Sequence, residues 1–329
     1  MSGFKALVIS EDGQGGYQQS LCERDFDSLP AGEVLIRVRY SSLNYKDALS
    51  ATGNKGVTRR YPHTPGIDVA GVVEQSAVSE FVAGDEVIVT GYDLGMNTSG
   101  GYAQYVRVPA AWLLKRPKGL SLRESMALGT AGLTAALCVE KLEQAGLTPS
   151  AGPVLVTGAT GGVGSIAVAL LASRGYDVVA CSGKADAAEW LKSLGAREVI
   201  AREQLQEGSE KPLLKEQWGG AVDTVGGEIL FNVVKSLRYG ASVACCGLTA
   251  GTGFKASVLP FILRGVNLLG VDSVELPLVV KASMWDKLSL QWKLDLTPLV
   301  EEIGLEQLPS AISRILAGQV SGRVLVRID

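Results

Sequence analysis

The stretch Pro153–Ser165 reads PVLVTGATGGVGS, and it decides the fold. Its first residues are apolar, as in a short buried strand, and glycines then lead into a helix that opens near Gly162. Glycines at a strand-to-helix turn let the backbone approach a pyrophosphate, whose charge is stabilised by free N–H groups at the start of the helix. The stretch therefore predicts a dinucleotide-binding turn rather than a turn with a purely structural role.

The turn keeps the spacing of the dinucleotide fingerprint, with alanine in the first glycine position. Apolar residues at helical spacing follow it, which is the context that the fingerprint requires. We therefore expect the residues of the turn to contact the cofactor: Ala159, Thr160, Gly161, Gly162, Val163 and Gly164.

The residues after the next predicted strand, Asp177–Cys181, indicate which dinucleotide binds. An NAD site usually has an acidic residue about 20 positions past the glycines, where it accepts a hydrogen bond from the ribose 2′-hydroxyl. Here Ser182, Gly183 and Lys184 occupy that place. A hydroxyl, a flexible glycine and a cation suit a 2′-phosphate, so we expect NADP(H), with Arg202 as a second cation. The alternative is that Lys184 is a solvated loop lysine.

Length and composition set the broad class of the protein. The chain has 329 residues, 47% of them hydrophobic, and 40 glycines, which suits a two-domain α/β enzyme. A net charge of −3 provides no basic surface for nucleic acid and no polybasic patch for a membrane. No apolar run reaches the roughly 18 residues that a membrane span needs.

The five cysteines are scattered and mostly lie in apolar segments, which indicates reduced thiols in a cytoplasmic protein. Met1–Tyr17 lacks an apolar core flanked by positive charge, so we expect no signal peptide. The chain has no CxxC pair and one histidine, His63, which is either an acid near the active-site loop or, as we expect, an ordinary loop residue. A zinc site normally needs several Cys or His ligands, so we expect no metal.

The character of the sequence changes along the chain. Residues 1–125 carry alternating strands and glycine-rich loops, typical of a barrel-like domain. From Pro153 onward strands and helices alternate, which predicts an α/β fold with a doubly wound parallel sheet. We place the nucleotide-binding domain at 126–274. The segment 275–329 ends in a strand that is expected to return to the first domain.

An ordered set of landmarks resembles the medium-chain dehydrogenase/reductase superfamily over essentially the whole chain. The resemblance implies a GroES-like β-barrel-type catalytic domain and a Rossmann domain that binds the nucleotide. The landmarks are Asn44–Asp47 (NYKD), Pro65–Gly71 (PGIDVAG), Gly84–Val87 (GDEV), Gly100–Ala103 (GGYA), Gly129–Gly132 (GTAG) and the fingerprint Ala159–Gly164.

Departures from the zinc alcohol dehydrogenases place the chain in one branch of that superfamily. Those enzymes carry a cysteine where this chain has Asn44 and Gly-His-Glu where it has Gly66-Ile67-Asp68, and their four-cysteine lobe is absent here. The chain thus resembles the zinc-free quinone-oxidoreductase and enoyl-reductase branch. Segments such as SSLNYKDAL, VTGATGGVGS and PFILRGV are similar to the bacterial acryloyl-CoA reductases.

The resemblance assigns roles to two neighbouring residues. Tyr45 occupies the loop that supplies catalytic ligands in the zinc relatives, so it is the first candidate for a hydrogen-bond donor or proton source. It is also counted as a cofactor contact, because its ring can simply pack against the nicotinamide. Asn44 is expected to position the substrate carbonyl or the nicotinamide ribose, unless it only forms the turn. Lys46 and Asp47 are expected to form an ion pair that orders the loop.

Further cofactor contacts are expected outside the fingerprint. Two of them follow a strand at the carboxyl edge of the sheet, where open α/β sheets bind ligands, and the others rest on the resemblance. For each, ordinary packing or solvation is the alternative. They are Gly247 and Leu248 at the sheet edge, and Thr130, Thr134, Ile262, Ser273 and Arg323. The cationic loop Asn54–Arg60 either binds phosphates of coenzyme A or is simply solvated.

The resemblance implies an NADPH-dependent reductase that transfers hydride to the β-carbon of a small enoyl-CoA, acryloyl-CoA giving propanoyl-CoA. A quinone reductase with the same cofactor is the alternative, and a non-catalytic NADPH-binding protein is a third class. Members of the family are commonly dimers, and we expect a homodimer whose subunits pair at the strand 266–271.

Overall fold

The computed structural model describes residues 3–328, which form two compact units. The first unit holds the residues up to Thr130, Ser273–Gln291, and those from Leu299 onward; the second holds Ala131–Asp272 and Trp292–Pro298. The sequence predicts domain boundaries between residues 125 and 126 and between residues 274 and 275. The observed first boundary lies within a helix, and residues 292–298 group with the second unit.

The bounds of the elements are as follows. The strands are β1 (Phe4–Glu11), β2 (Tyr17–Arg24), β3 (Val34–Leu43), β4 (Asp68–Ser76), β5 (Glu86–Thr90), β6 (Tyr105–Val108), β7 (Leu114–Lys115), β8 (Val154–Val156), β9 (Val178–Ser182), β10 (Glu198–Ala201), β11 (Gly220–Asp223), β12 (Ser242–Cys245), β13 (Asn267–Gly270), β14 (Val300–Gly304) and β15 (Arg323–Arg327). The α-helices are α1 (Tyr45–Ala51), α2 (Leu122–Gln144), α3 (Gly162–Ser173), α4 (Ala188–Ser193), α5 (Gly227–Ser236), α6 (Leu259–Arg264), α7 (Leu278–Ser289) and α8 (Leu308–Leu316).

The first unit is built on a sheet with the order β14-β15-β3-β4-β5-β7, in which β6 also pairs with β3. Strand β15 lies antiparallel to β3, with Val324 opposite Leu43, so this strand near the end of the chain belongs to the sheet of the first unit. A second sheet pairs β1 with β2. Every second residue of the first half of β3, namely Val34, Ile36 and Val38, packs in one core cluster. Leu35 packs in a second cluster, so this half of β3 is buried on both faces.

The second unit contains a six-stranded sheet with the order β10-β9-β8-β11-β12-β13. All of its strands are parallel, as the alternation of strands and helices predicts. The strands succeed one another outward in both directions from the central pair β8 and β11. The topological switch point therefore lies at the carboxyl ends of these two strands. Ligands of such sheets bind at the carboxyl ends of the strands beside that point, and the fingerprint follows β8 there.

Helix α2 is interrupted at Gly129, whose backbone has φ 53° and ψ −155°. This region of backbone space is open to glycine and strained for other residues. A β-carbon there would also lie 2.5 Å from Oδ2 of Asp68 and 2.7 Å from Oγ of Ser42. Glycine therefore allows the kink and the close approach of the helix to β4.

Two element starts bear on the site. Ser41–Leu43 belong to β3, and α1 begins at Tyr45. Helix α3 begins at Gly162, where the glycine-rich turn predicts a helix to open.

Candidate functional site

Asp47 fastens the start of α1 to the segment that precedes β4. Its Oδ2 accepts a hydrogen bond from the Asn44 N–H at 2.9 Å, and its Oδ1 accepts from the N–H groups of Gly66 and Ile67 at 3.1 and 2.9 Å. Burial raises its pKa to about 6, and the nearby Asp68 carboxylate adds to the shift. The expected ion pair with Lys46 is wrong, because the carboxylate is fully buried and is taken up by backbone donors.

Asp68 is the centre of the polar network in the first unit, and it is fully buried. Its Oδ2 accepts from Oγ of Ser42 at 2.5 Å and from Nδ2 of Asn44 at 2.8 Å. Thr130 donates to it twice, from the hydroxyl at 2.6 Å and from the backbone N–H at 2.9 Å. These contacts hold the residue before Tyr45 and the residue after the helix kink in one fixed arrangement.

Arg323 supplies the positive charge of this network from β15. Its Nε donates to the Ala127 carbonyl at 3.1 Å, and its Nη1 donates to the Leu43 carbonyl and to Oδ1 of Asn44 at 3.2 and 3.3 Å. Its Nη2 lies 3.9 Å from Oδ2 of Asp68 and has no hydrogen-bond partner among residues 3–328. Burial lowers the pKa of Arg323, and the Asp68 carboxylate opposes that change. The predicted cofactor contact through Arg323 stays a prediction, since most of its donors serve the protein itself.

Tyr45 begins α1 directly after this network. Its side chain is 37% exposed, and its hydroxyl has no hydrogen bond to another residue in the range 3–328. The Tyr45 hydroxyl, the predicted donor, is therefore accessible, and the backbone that carries it is held in a fixed position. His63, by contrast, is buried, its Nε2 lies 2.9 Å from the Gly95 carbonyl, and burial lowers its pKa. This arrangement is that of a structural loop residue, as expected.

The donor groups of this network do not fit a zinc ion. The carboxylate of Asp68 already accepts hydrogen bonds from four donor groups, Oδ1 of Asn44 accepts from Arg323, and Ile67 offers no ligand. Among residues 3–328 no group of three or more His, Cys, Asp or Glu side chains could hold a metal ion.

The glycine-rich turn of the second unit has the geometry of a phosphate-binding turn. The backbone turns at Gly158 with φ 57°, and Gly161 N–H donates to the Gly158 carbonyl at 2.9 Å. A β-carbon on Gly164 would lie 2.8 Å from Cα of Ala159, so only glycine allows this close packing. Helix α3 begins at Gly162, and its first N–H groups have no acceptor within the helix. Such a helix start binds anions.

The end of β9 brings together the residues predicted for the 2′-phosphate. Oγ of Ser182 accepts from the Lys184 N–H at 3.0 Å. The guanidinium of Arg202 lies against the backbone of Gly183, so that a β-carbon there would overlap it. Burial lowers the pKa of Lys184. Burial also raises the pKa of the Cys181 thiol to about 12, and the positive charge of Arg202 partly offsets that rise. A hydroxyl and a cation thus follow β9, and a second cation reaches them from Arg202, directly after β10.

A second buried carboxylate, Asp223, lies at the end of β11. It accepts from Oγ1 of Thr157 and from the Gly226 N–H, both at 2.7 Å, and burial raises its pKa. The Cys246 N–H donates to its carbonyl at 3.0 Å, which brings the segment containing Gly247 to the carboxyl edge beside β8. Asp223 was not among the residues predicted from the sequence. The aspartate at the end of the apolar strand in AVDTVGG could have indicated it, because a buried carboxylate needs hydrogen-bond donors.

The remaining predicted residues lie apart from these clusters. Thr134 is buried on α2. Ser273 is buried in the segment that follows β13, three residues after the strand ends at Gly270. Leu248 and Ile262 are 53% and 69% exposed, Ile262 on α6. Their cofactor contacts stay predictions. No helix among the described residues is long and apolar enough to cross a membrane.

Two family models match the chain in the order of its two units. Residues 30–118 match the alcohol dehydrogenase GroES-like domain, and residues 162–289 match the zinc-binding dehydrogenase domain. With the parallel sheet and the sheet-edge fingerprint described above, these matches define a two-domain oxidoreductase. The chain belongs to the medium-chain dehydrogenase/reductase family.

Particular relatives extend over nearly the whole chain. Acrylyl-CoA reductase AcuI of Ruegeria pomeroyi is 46% identical, covering 99% of each chain. The Putative quinone oxidoreductase YhfP of Bacillus subtilis is 51% identical, covering 92% of each chain. The crystal structure of the yhdH oxidoreductase of Salmonella enterica in complex with NADP is 45% identical, with a TM-score of 0.96 over 99% of this chain and 100% of that one. The crystal structure of Bacillus subtilis yhfP, with NAD bound, is 48% identical, with a TM-score of 0.96 over 99% and 100%.

Proposed function

We propose that this protein is an NADPH-dependent reductase of a small enoyl-CoA, acryloyl-CoA giving propanoyl-CoA. The observation that carries the proposal is the 46% identity to an acrylyl-CoA reductase over 99% of both chains. The geometry agrees with it, since an accessible Tyr45 hydroxyl follows a backbone that Asp47 and Asp68 fix at the entry to α1.

NADP(H) is the cofactor that the second unit suits. Ser182, Lys184 and Arg202 offer a hydroxyl and two cations where a 2′-phosphate binds, and the first carboxylate after β9 comes only at Asp186, past the position that accepts from a 2′-hydroxyl in NAD sites. The NADP bound by the Salmonella relative supports this assignment. The NAD bound by the Bacillus relative makes the comparison of the two cofactors a necessary test.

In the proposed reduction, different residues of the chain have different roles. Bound NADPH would supply the hydride that reduces the β-carbon. As negative charge moves onto the thioester oxygen, the Tyr45 hydroxyl stabilises it by donating a hydrogen bond. The Asp68 network keeps Asn44 and Thr130 in place, so that no reorganisation is needed as the charge develops. The α-carbon then takes a proton, from Tyr45 or from water.

A quinone reductase is the second candidate, favoured by the name of the Bacillus relative at 51% identity. It would use the same cofactor residues without a thioester. NADPH oxidation, followed with acryloyl-CoA, crotonyl-CoA and a benzoquinone in parallel and with NADH as the control cofactor, separates the two. Preference for acryloyl-CoA with NADPH supports the proposal, and turnover of the quinone alone would refute it.

The second unit also offers a surface for pairing with a second copy of the chain. Strand β13 is the last strand of its sheet, and Leu268 on it is exposed. Val258, Ile262 and Leu263 are apolar and more than half exposed on or beside the preceding helix α6. We infer a homodimer in which β13 pairs with its copy, which buries an otherwise open sheet edge. Sedimentation of the wild type and of Leu268→Arg tests it, with a monomeric wild type as the contradicting result.

We also infer a cytoplasmic location, since the cysteines are free thiols and the substrate and cofactor proposed here are intracellular metabolites. Fractionation of cells with an antibody to the chain would test this.

A further inference from the structure

The loop Asn54–Arg60 follows α1 and is fixed to the end of that helix. The N–H groups of Val57 and Thr58 donate to the Asn54 carbonyl at 2.9 and 3.0 Å. The buried hydroxyls of Thr58 and Ser50 lie 2.7 Å apart, and the Tyr61 hydroxyl donates to the Ser50 carbonyl at 2.6 Å. The Asn54 N–H also donates to the Leu49 carbonyl of α1 at 3.0 Å, so contacts to α1 hold the loop at both of its ends.

The three cations of this loop differ in what they contact. The ammonium of Lys55 lies 3.1 Å from Glu11 Oε1 and 4.8 Å from the ring centre of Tyr61, so it is already paired. Arg59 and Arg60 are exposed, and neither guanidinium has a partner among the residues that the structure describes. Only the Arg59 N–H is engaged, with Oδ1 of Asn97 at 3.2 Å.

No carboxylate in the adjoining turn neutralises these two arginines. Asp93, which reaches the turn through Asn97, accepts from Nδ2 of Asn97 at 2.9 Å and from the Thr98 hydroxyl at 2.8 Å. The guanidinium groups of two consecutive residues on a fixed loop thus remain for a ligand. In a chain with a net charge of −3, such a local positive patch is not the effect of overall composition.

The loop and Tyr45 are carried by the same helix. Tyr45 is the first residue of α1 and Ser50, to which the loop is anchored, is the sixth, so the two are separated by about 7.5 Å along the helix axis. A coenzyme A thioester has its reactive group at one end of the pantetheine arm and its pyrophosphate and 3′-phosphate at the other. Guanidinium groups bind phosphates through paired, charge-assisted hydrogen bonds.

We propose that Arg59 and Arg60 bind the phosphate groups of coenzyme A and so select a coenzyme A thioester over shorter thioesters of the same acyl group. This inference rests on the proposed enoyl-CoA reduction. It assigns the phosphate-binding role to the two unpaired arginines and leaves Lys55 as a structural residue of the loop.

The test compares acryloyl-CoA with acryloyl-pantetheine, which has the same reactive group and lacks the nucleotide phosphates. For the double variant Arg59→Gln/Arg60→Gln we expect the KM for acryloyl-CoA to rise at least tenfold and the KM for acryloyl-pantetheine to stay within twofold. The salt dependence of the KM for acryloyl-CoA should weaken in the same variant. Arg37→Gln, which removes another exposed arginine from β3, is the matched control and should change neither KM.

Equal changes for the two thioesters, or no change for either, would overturn the proposal. Direct binding of free coenzyme A, measured by calorimetry, keeps it testable if no thioester is turned over. Tighter binding by the wild type than by the double variant would then support the phosphate site while the proposed function fails. Equal binding by both, or none by the wild type, would overturn the site as well.

Discussion

The Thr130 hydroxyl donates to Oδ1 of Asp68 across 2.6 Å, which ties the residue after the kink of α2 to the first residue of β4. Asn44 donates to the other oxygen of the same carboxylate at 2.8 Å. One buried carboxylate thus sets the positions of two segments that sequence resemblance assigns to catalysis and cofactor binding. Its replacement should show how far the rigid arrangement matters.

Asp68→Asn keeps the shape of the side chain and replaces one acceptor oxygen by an N–H donor. That donor would face the Ser42, Asn44 and Thr130 donors, and Arg323 would lose its counter-charge. We expect the free energy of unfolding to fall by about 3 kcal/mol and kcat to fall with it. Denaturant unfolding measures the first change. Glu74→Gln, on the same strand, is the control and should stay within about 0.5 kcal/mol of the wild type; an equal loss there would remove the special role of Asp68.

Gly129→Ala tests whether the kink needs glycine for space as well as for backbone conformation. A β-carbon at this position would press on Asp68 and Ser42, whereas one at Gly146, which also has positive φ, would meet nothing within 4 Å. We expect Gly146→Ala to cost about 1 kcal/mol and Gly129→Ala clearly more. Thermal unfolding of both variants decides it. Equal losses would mean that backbone strain alone explains the glycine.

The raised pKa of the buried Asp47 carboxyl makes the stability of the folded protein depend on pH. Its pKa rises from 3.8 to about 6 on folding, so the folded protein holds the proton more tightly than the unfolded chain. The contribution is fully present below about pH 4 and is lost as the pH rises to about 6, with a size of about 3 kcal/mol. In Asp47→Asn this loss should be absent, so the wild type should weaken relative to the variant over that interval. Parallel pH profiles of the two proteins would contradict the assignment.

The cofactor prediction is tested by Lys184→Gln and Arg202→Gln, assayed separately. Each removes one cation, Lys184 shortly after β9 or Arg202 directly after β10, while leaving the glycine-rich turn intact. We expect the KM for NADPH to rise about tenfold in each and the KM for NADH to stay unchanged. Lys192→Gln, an exposed lysine of α4 paired with Glu189, serves as the control. A wild type that uses NADH as well as NADPH would rule out a 2′-phosphate site.

The sequence predicted the parallel sheet well because its signals are local. The strand of Val154–Val156, the glycine turn and the apolar helix α3 follow one another directly in the chain. The network of Asp47, Asp68 and Arg323 could not be predicted in the same way, since these residues lie far apart in sequence and meet only through β3, β4 and β15. An aspartate in the otherwise apolar stretch PGIDVAG was the available signal, because a buried carboxylate must find donors.

Strand β2 and helices α7 and α8 also escaped prediction. Most residues of β2 are exposed, so its sequence carries no clear apolar alternation. In α7 the buried face includes Lys281, whose ammonium donates to the Thr90 and Val274 carbonyls at 2.7 and 2.8 Å. A lysine in that position reads as a solvent-exposed residue, and only the folded unit shows the carbonyl groups that satisfy it.

The most direct test of the central claim is the rate of NADPH oxidation with acryloyl-CoA by the wild type and by Tyr45→Phe. Phenylalanine keeps the aromatic ring at the start of α1 and removes only the hydroxyl. The proposed reduction predicts efficient turnover by the wild type and a kcat about 100-fold lower in the variant, with a small change in KM. A wild type that reduces only the quinone, or a variant as fast as the wild type, would contradict the role given to Tyr45 and the reaction built on it.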